Sequence, residues 1–185
     1  MNLIDLEIAR HDWRNMPCGC GDSAEHLPGD LLRLAERGPA QGPVETGLEE
    51  HVWSVRGLWD PAPAVTAVAL AALADETPPH ARLLYLDVLH CMVAGDGTHP
   101  EAARPDLDLP ALCGDLAAEG TWLLYREVMT YRNPGQAGSA FEILTAIGTD
   151  RDRLERLREA AAGWLPVCCR TGLCDDWSDA DDDLG

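Results

Sequence analysis

The sequence predicts a single-domain, all-α fold of about eight helices stacked in pairs, followed by an acidic disordered tail. Three observations predict it. From Leu27 to Gly95, apolar residues recur at helical spacing, with Pro at the helix starts and no alternating strand pattern. Of the 185 residues, 46% are apolar, enough for one buried core, and the chain is short for two domains. After Cys174, six of the last eleven residues are Asp. Such a segment cannot bury enough apolar area to offset its ordering entropy. The expected division is a helical domain over 1–169 and a flexible tail over 170–185.

The elements follow in order. A first helix is expected from Leu3 to Trp13, stopping before the turn-rich stretch Met16-Pro17-Cys18-Gly19-Cys20-Gly21. A second starts near Leu27, carries Leu31, Leu32 and Leu34, and closes on Gly38-Pro39. A third is read over Val44 to Leu58, because Leu48, Val52, Val55 and Trp59 fall near i, i+4, i+7 spacing. Asp60-Pro61, as cap and first-turn Pro, opens the fourth and most apolar helix, AVTAVALAALA. Thr77-Pro78-Pro79 opens a fifth through Leu83, Leu86, Leu89 and Val93.

Gly95-Asp96-Gly97 reads as a turn, and Thr98 with Glu101 fits a capping box. A Pro-punctuated connector over 104–110 leads to helices from Pro110 to Tyr131 with a break at Gly120. Asn133 to Ser139 reads as a loop before a helix over Ala140 to Ile147. A last helix runs from the Thr149-Asp150 cap through Leu154, Leu157 and Trp164 to Val167.

Within Leu27 to Gly95, certain turns repeat a recognisable pattern: Leu27-Pro28 before a leucine-rich helix, the corner Gly57-Leu58-Trp59, Ala62-Pro63-Ala64-Val65, and Arg82-Leu83-Leu84. This stretch resembles the bacterial HEAT-like repeat proteins of high-GC genomes. The resemblance covers a little over a third of the chain and implies a right-handed α–α solenoid whose concave face holds a partner. Where that family carries a His-Gln pair before the corner Gly, this chain has Val55-Arg56. The resemblance lends no activity.

Composition narrows the partners. All 14 basic residues are Arg, as GC-rich codon usage favours, against 32 acids, for a formal charge of −18. Nucleic-acid binders need a basic face to replace phosphate counterions, so nucleic acid is not an expected partner. The negative field favours a basic protein or peptide. No apolar run reaches the length of about 18 residues that spans a bilayer, so no membrane partner is expected. The N-terminus lacks a basic-then-apolar signal layout, so a cytoplasmic protein with reduced thiols is expected.

The seven cysteines are the most chemical residues of the chain. Cys91 and Cys113 sit in apolar helical contexts and read as small core residues. Cys168, Cys169 and Cys174 have ligand-capable spacing but supply three thiols. Cys18-Gly19-Cys20 is tighter than the two to four intervening residues of an ordinary zinc knuckle. Joined with His11 or His26, the two groups would make a Cys-rich site. However, the ends of a four-layer helix stack lie about 30–40 Å apart. The expectation is therefore packing or surface thiols and no cofactor.

Other patterns fall short of a site. His90 and Cys91 are neighbours that project about 100° apart on a helix and do not meet. Asn133 to Ser139 is Gly-rich but lacks the Lys of a phosphate loop. The tail lacks the Gly and distal Glu of a calcium loop. Six Trp stand against one Phe, several at helix ends, and read mostly as core residues, some of them able to line a groove. Trp53, Arg56 and Trp59, with Trp122, Tyr125 and Arg126, are the candidate groove residues. Asp175, Asp176, Trp177 and Asp181 form a candidate docking segment in the tail. The expected function is a non-enzymatic protein- or peptide-binding module, such as a neutralising or accessory partner of a basic protein. The alternative is a small-molecule- or peptide-modifying enzyme with its site in the groove.

Overall fold

A computed structural model describes residues 2–36, 46–130 and 133–173. The described residues are mostly helical: α1 (Leu3–Ile8), α2 (Leu27–Glu36), α3 (Ala62–Ala74), α4 (Pro79–Val93), α5 (Leu109–Glu119), α6 (Thr121–Thr130), α7 (Pro134–Ala146), α8 (Arg151–Ala161) and α9 (Val167–Thr171). Two two-residue strands, β1 (Trp53–Ser54) and β2 (Gly57–Leu58), pair as an antiparallel hairpin. No helix among the described residues is long and apolar enough to cross a membrane.

The centre is α3 packed along α4. The first turn of α3 holds Pro63, and its Ala and Val side chains bury on several faces, as a helix apolar all round must. Pro79 opens α4, which buries Leu84, Tyr85, Leu86, Val88, Leu89 and Met92. Against this pair lie α1 and α5 on α3, and α2, α5 and α7 on α4. The α6–α7 pair follows, and α8 and α9 close that end.

Polar ties fix these contacts. The Tyr85 hydroxyl donates to the Leu31 carbonyl at 2.7 Å, joining α4 to α2. Arg82, 2% exposed, pairs with the fully buried Glu127 of α6 and donates to the carbonyls of Leu73 and Asp75 at the end of α3. Gln136 of α7 donates to the same carboxylate at 2.9 Å. One buried charge pair thus ties four elements together, and its remaining hydrogen-bonding capacity is used within the protein.

The third helix expected over Val44 to Leu58 is not formed over the described residues 46–58. Thr46 to Val52 is a turn, and the hairpin follows it. Gly47 (φ 76°), Glu50 (φ 61°) and Gly57 (φ 125°) hold left-handed backbone that a helix excludes. Leu48 and Val52 are buried, but Val55 stands 96% exposed at the hairpin tip. Their spacing imitated a helix while serving a turn.

Smaller corrections follow the same physics. α1 ends at Ile8, and Trp13–Asn15 is a separate 3-10 turn. Asp60 does not cap α3; it accepts from the Ala103 amide at 2.8 Å and faces Arg104 at 3.4 Å. Thr98 makes no capping box; its hydroxyl donates to the Leu107 carbonyl and accepts from the Leu109 amide. The stretch after Asn133, expected as a loop, is already α7, with Asn133 as its cap. The last helix is split into α8 and α9 around Pro166. Cys174 and the acidic tail lie outside the described residues.

Candidate metal centre

The connection between α1 and α2 is a tight knuckle. Pro17 and Ser23 form an antiparallel bridge, and the Ala24 amide donates to the Met16 carbonyl at 2.9 Å. The Cys18 amide donates to the Asp22 carbonyl at 2.9 Å, and the Gly21 amide turns back to the Cys18 carbonyl at 3.0 Å. Gly21, at φ 90°, supplies the left-handed step this reversal needs. The chain then makes the 3-10 turn Ala24–His26 and enters α2.

The connection between α2 and α3 comes to the same place. Glu49 closes the Thr46 turn by accepting from the Thr46 hydroxyl at 3.0 Å and the Gly47 amide at 3.1 Å. Glu50 takes the left-handed conformation, which turns His51 toward the knuckle, and the Gly19 amide donates to the His51 carbonyl at 3.0 Å. The hairpin then reaches the 97–99 segment: the Leu58 amide donates to Gly97 and the His99 amide to Leu58, both at 2.8 Å.

Cys18, Cys20, His26 and His51 converge here. One donor atom from each lies within 4.8 Å of every other. Cys18 Sγ is 3.9 Å from His26 Nε2 and 3.4 Å from His51 Nδ1, and the two ring nitrogens are 3.0 Å apart. Zinc binds thiolate at about 2.3 Å and imidazole at about 2.0 Å, so a tetrahedron has S–N edges of about 3.6 Å and N–N edges of about 3.3 Å. The measured edges are close to that shape. Two thiols and two imidazoles form a standard structural zinc ligand set, with no position left for substrate.

Cys18 is buried, His26 and His51 are half-buried, and Cys20 is exposed. The site is thus walled by protein on the Cys18 side and open to solvent at Cys20. Burial pushes the Cys18 thiol up to about 11, opposed in part by a backbone hydrogen bond at Cys20. Metal uptake therefore displaces thiol protons.

Gly19 is what makes the one-residue spacing workable. A Cβ there would lie 2.2 Å from the Glu50 carbonyl oxygen and 2.6 Å from Trp59 Nε1. Sequence reasoning set the Cys18-Gly19-Cys20 pair aside for its short spacing and sought partners among the distant C-terminal thiols. It named His26 but not His51, which stands 33 residues after Cys18. The usable signal was the alternation Cys-Gly-Cys-Gly, followed by two of only six His. His11, the other imidazole considered, faces Glu7 at 3.2 Å instead.

The other candidates fall in separate places. Trp53 and Arg56 belong to the hairpin, with Arg56 3.5 Å from Glu101, and Trp59 stacks on His99 with centroids 3.8 Å apart. Trp122, Tyr125 and Arg126 lie on α6. Trp122 is 72% exposed beneath Arg153, Tyr125 is buried, and Arg126 reaches the Leu73 carbonyl. Cys168 and Cys169 come together with Glu142 of α7. Cys174, Asp175, Asp176, Trp177 and Asp181 lie outside the described residues. An open groove of about 540 Å³ runs between α1, α3, α5 and α6, floored by Ala67, Ala71 and Ala74 and rimmed by Glu7, His11 and Arg104.

No protein-family model matches the chain, no curated protein matches it, and no solved structure matches its fold.

Proposed function

We propose that the chain is a zinc-stapled helical binding module. Cys18, Cys20, His26 and His51 hold one Zn²⁺, and the helical array engages a basic protein or peptide. The observation that carries the metal reading is the convergence of four donor atoms within 4.8 Å. Those donors come from both connections that flank α2, so one ion clips two loops together.

The packing order supports a HEAT-like stack. α1, α3 and α6 follow one another along one side, and α2, α4 and α7 along the other. The first pair is loose, since α1 packs mainly on α3 and α2 on α4. Terminal repeats of a stack need a cap, and the zinc knuckle fills that place. The charge of −18 supports a cationic partner. In the enzyme alternative the groove would be the site. Its His11 is engaged by Glu7 and its Arg104 by Asp60, and its lining holds no hydroxyl or thiol nucleophile. That chemistry favours holding a ligand over transforming one.

The test is a capture experiment with the zinc-loaded protein, compared with a chelated sample and with the Cys18→Ser variant. A stoichiometric basic partner, released by salt and held less well by the metal-free forms, is the expected result. An acidic or salt-insensitive partner would contradict the charge argument.

A further inference from the structure

The C-terminal end of the helical array carries a second set of soft donors. Cys168 and Cys169 occupy the first turn of α9, which packs on α7, the helix that carries Glu142. Cys168 Sγ lies 3.9 Å from Cys169 Sγ, and Cys169 Sγ lies 3.7 Å from Glu142 Oε1. All three donor atoms fall within 4.8 Å of one another. Around tetrahedral zinc, two thiolates stand about 3.8 Å apart, and a thiolate and a carboxylate oxygen about 3.5 Å. Both edges fit.

The surroundings suit a cation held by anionic ligands. Arg158 donates to the Cys169 carbonyl at 2.7 Å, which brings a positive charge to the backbone of one ligand residue. His90 Nε2 stands 3.9 Å from the other Glu142 oxygen, and an imidazole beside a ligating carboxylate helps fix its orientation. Cys169 is fully buried, while Cys168 and Glu142 are half-buried, so solvent reaches one side of the cluster.

We infer that Glu142, Cys168 and Cys169 form a second site for a thiophilic divalent cation such as Zn²⁺. Among the described residues it offers three protein ligands to the knuckle's four. It stands independently of the proposed function, because no residue is shared.

The test uses the full chain, reduced and stripped of metal, then loaded with Zn²⁺ or Co²⁺ and desalted. Metal per chain is measured by mass spectrometry, and thiolate-to-cobalt charge transfer by absorption. The unmodified protein is expected to hold two equivalents. Cys168→Ser is expected to hold one, and Glu142→Gln to weaken one equivalent about ten-fold or more.

One equivalent in the unmodified protein, unchanged in Cys168→Ser, overturns the second site. One equivalent that vanishes in Cys168→Ser supports the second site and removes the knuckle instead. Two equivalents that survive both substitutions place the second ion elsewhere and overturn the assignment. Should Cys168→Ser lose helicity by circular dichroism, Glu142→Gln decides alone. Unchanged affinity for both equivalents in that variant refutes the second site.

Discussion

Gly19 separates the two cysteines of the proposed zinc site, and the space around it is already full. An added methyl would overlap the Glu50 carbonyl, which is backbone and cannot swing away. Gly19→Ala is therefore expected to abolish tight zinc binding. Gly21→Ala makes a sharp control, because Gly21, unlike Gly19, has left-handed backbone but nothing within 4 Å of its would-be Cβ. Its cost is conformational only, about 1–2 kcal/mol, so it should keep the metal at a lower melting temperature. Metal content and thermal unfolding of the two variants, side by side, check this.

Tyr85 gives a prediction for alkaline pH at the same scale. Burial raises its phenol above the ordinary value, partly opposed by a backbone hydrogen bond at Ala35. The unfolded phenol ionises near pH 10 and the folded one only above that. Stability is thus fully present below about pH 10 and lost as pH rises further. Cys113, pushed by burial up to about 11, acts in the same direction. Tyr85→Phe should lose about 1 kcal/mol at neutral pH with its bond to Leu31 and show a shallower alkaline decline in denaturant unfolding.

Among the elements, the contact of α4 with α6 and the end of α3 depends on Arg82 and Glu127. Glu127→Ala leaves a guanidinium charge buried without its carboxylate, and a loss of about 3–5 kcal/mol is expected. The double variant Arg82→Met with Glu127→Leu should recover most of that loss, because it removes the charge as well as its partner. Chemical denaturation of the single and double variants measures both.

The same elements show what the sequence could reveal. The Pro-started α3 and α4, the leucine face of α2 and the break at Gly120 were legible, since local rules and burial agree there. The 46–58 segment was not. Its apolar residues keep helical spacing, and only the backbone signs at Gly47, Glu50 and Gly57 tell the difference. The metal centre was half legible. Cys18, Cys20 and His26 lie within one short stretch, but His51 reaches them only through that misread turn. Pairing across such a distance is a property of the fold, not of local spacing.

At the scale of the whole molecule, the four proposed ligands lie outside α3, α4, α6 and α7. Chelation should therefore loosen the clip and spare most of the helicity. Far-ultraviolet circular dichroism should change little, while hydrogen exchange should rise at the knuckle, the Thr46 turn and the hairpin. Uniform exchange across the chain after chelation would mean instead that the ion supports the entire fold.

The most direct measurement is the zinc content of the 185-residue chain after exposure to a chelator that strips weak sites, with Cys18→Ser and His51→Asn treated alongside. The account predicts one retained zinc per chain, lost in both variants while His11→Asn keeps it. A protein that retains no zinc, or one whose retained zinc is indifferent to Cys18 and His51, would contradict the central claim.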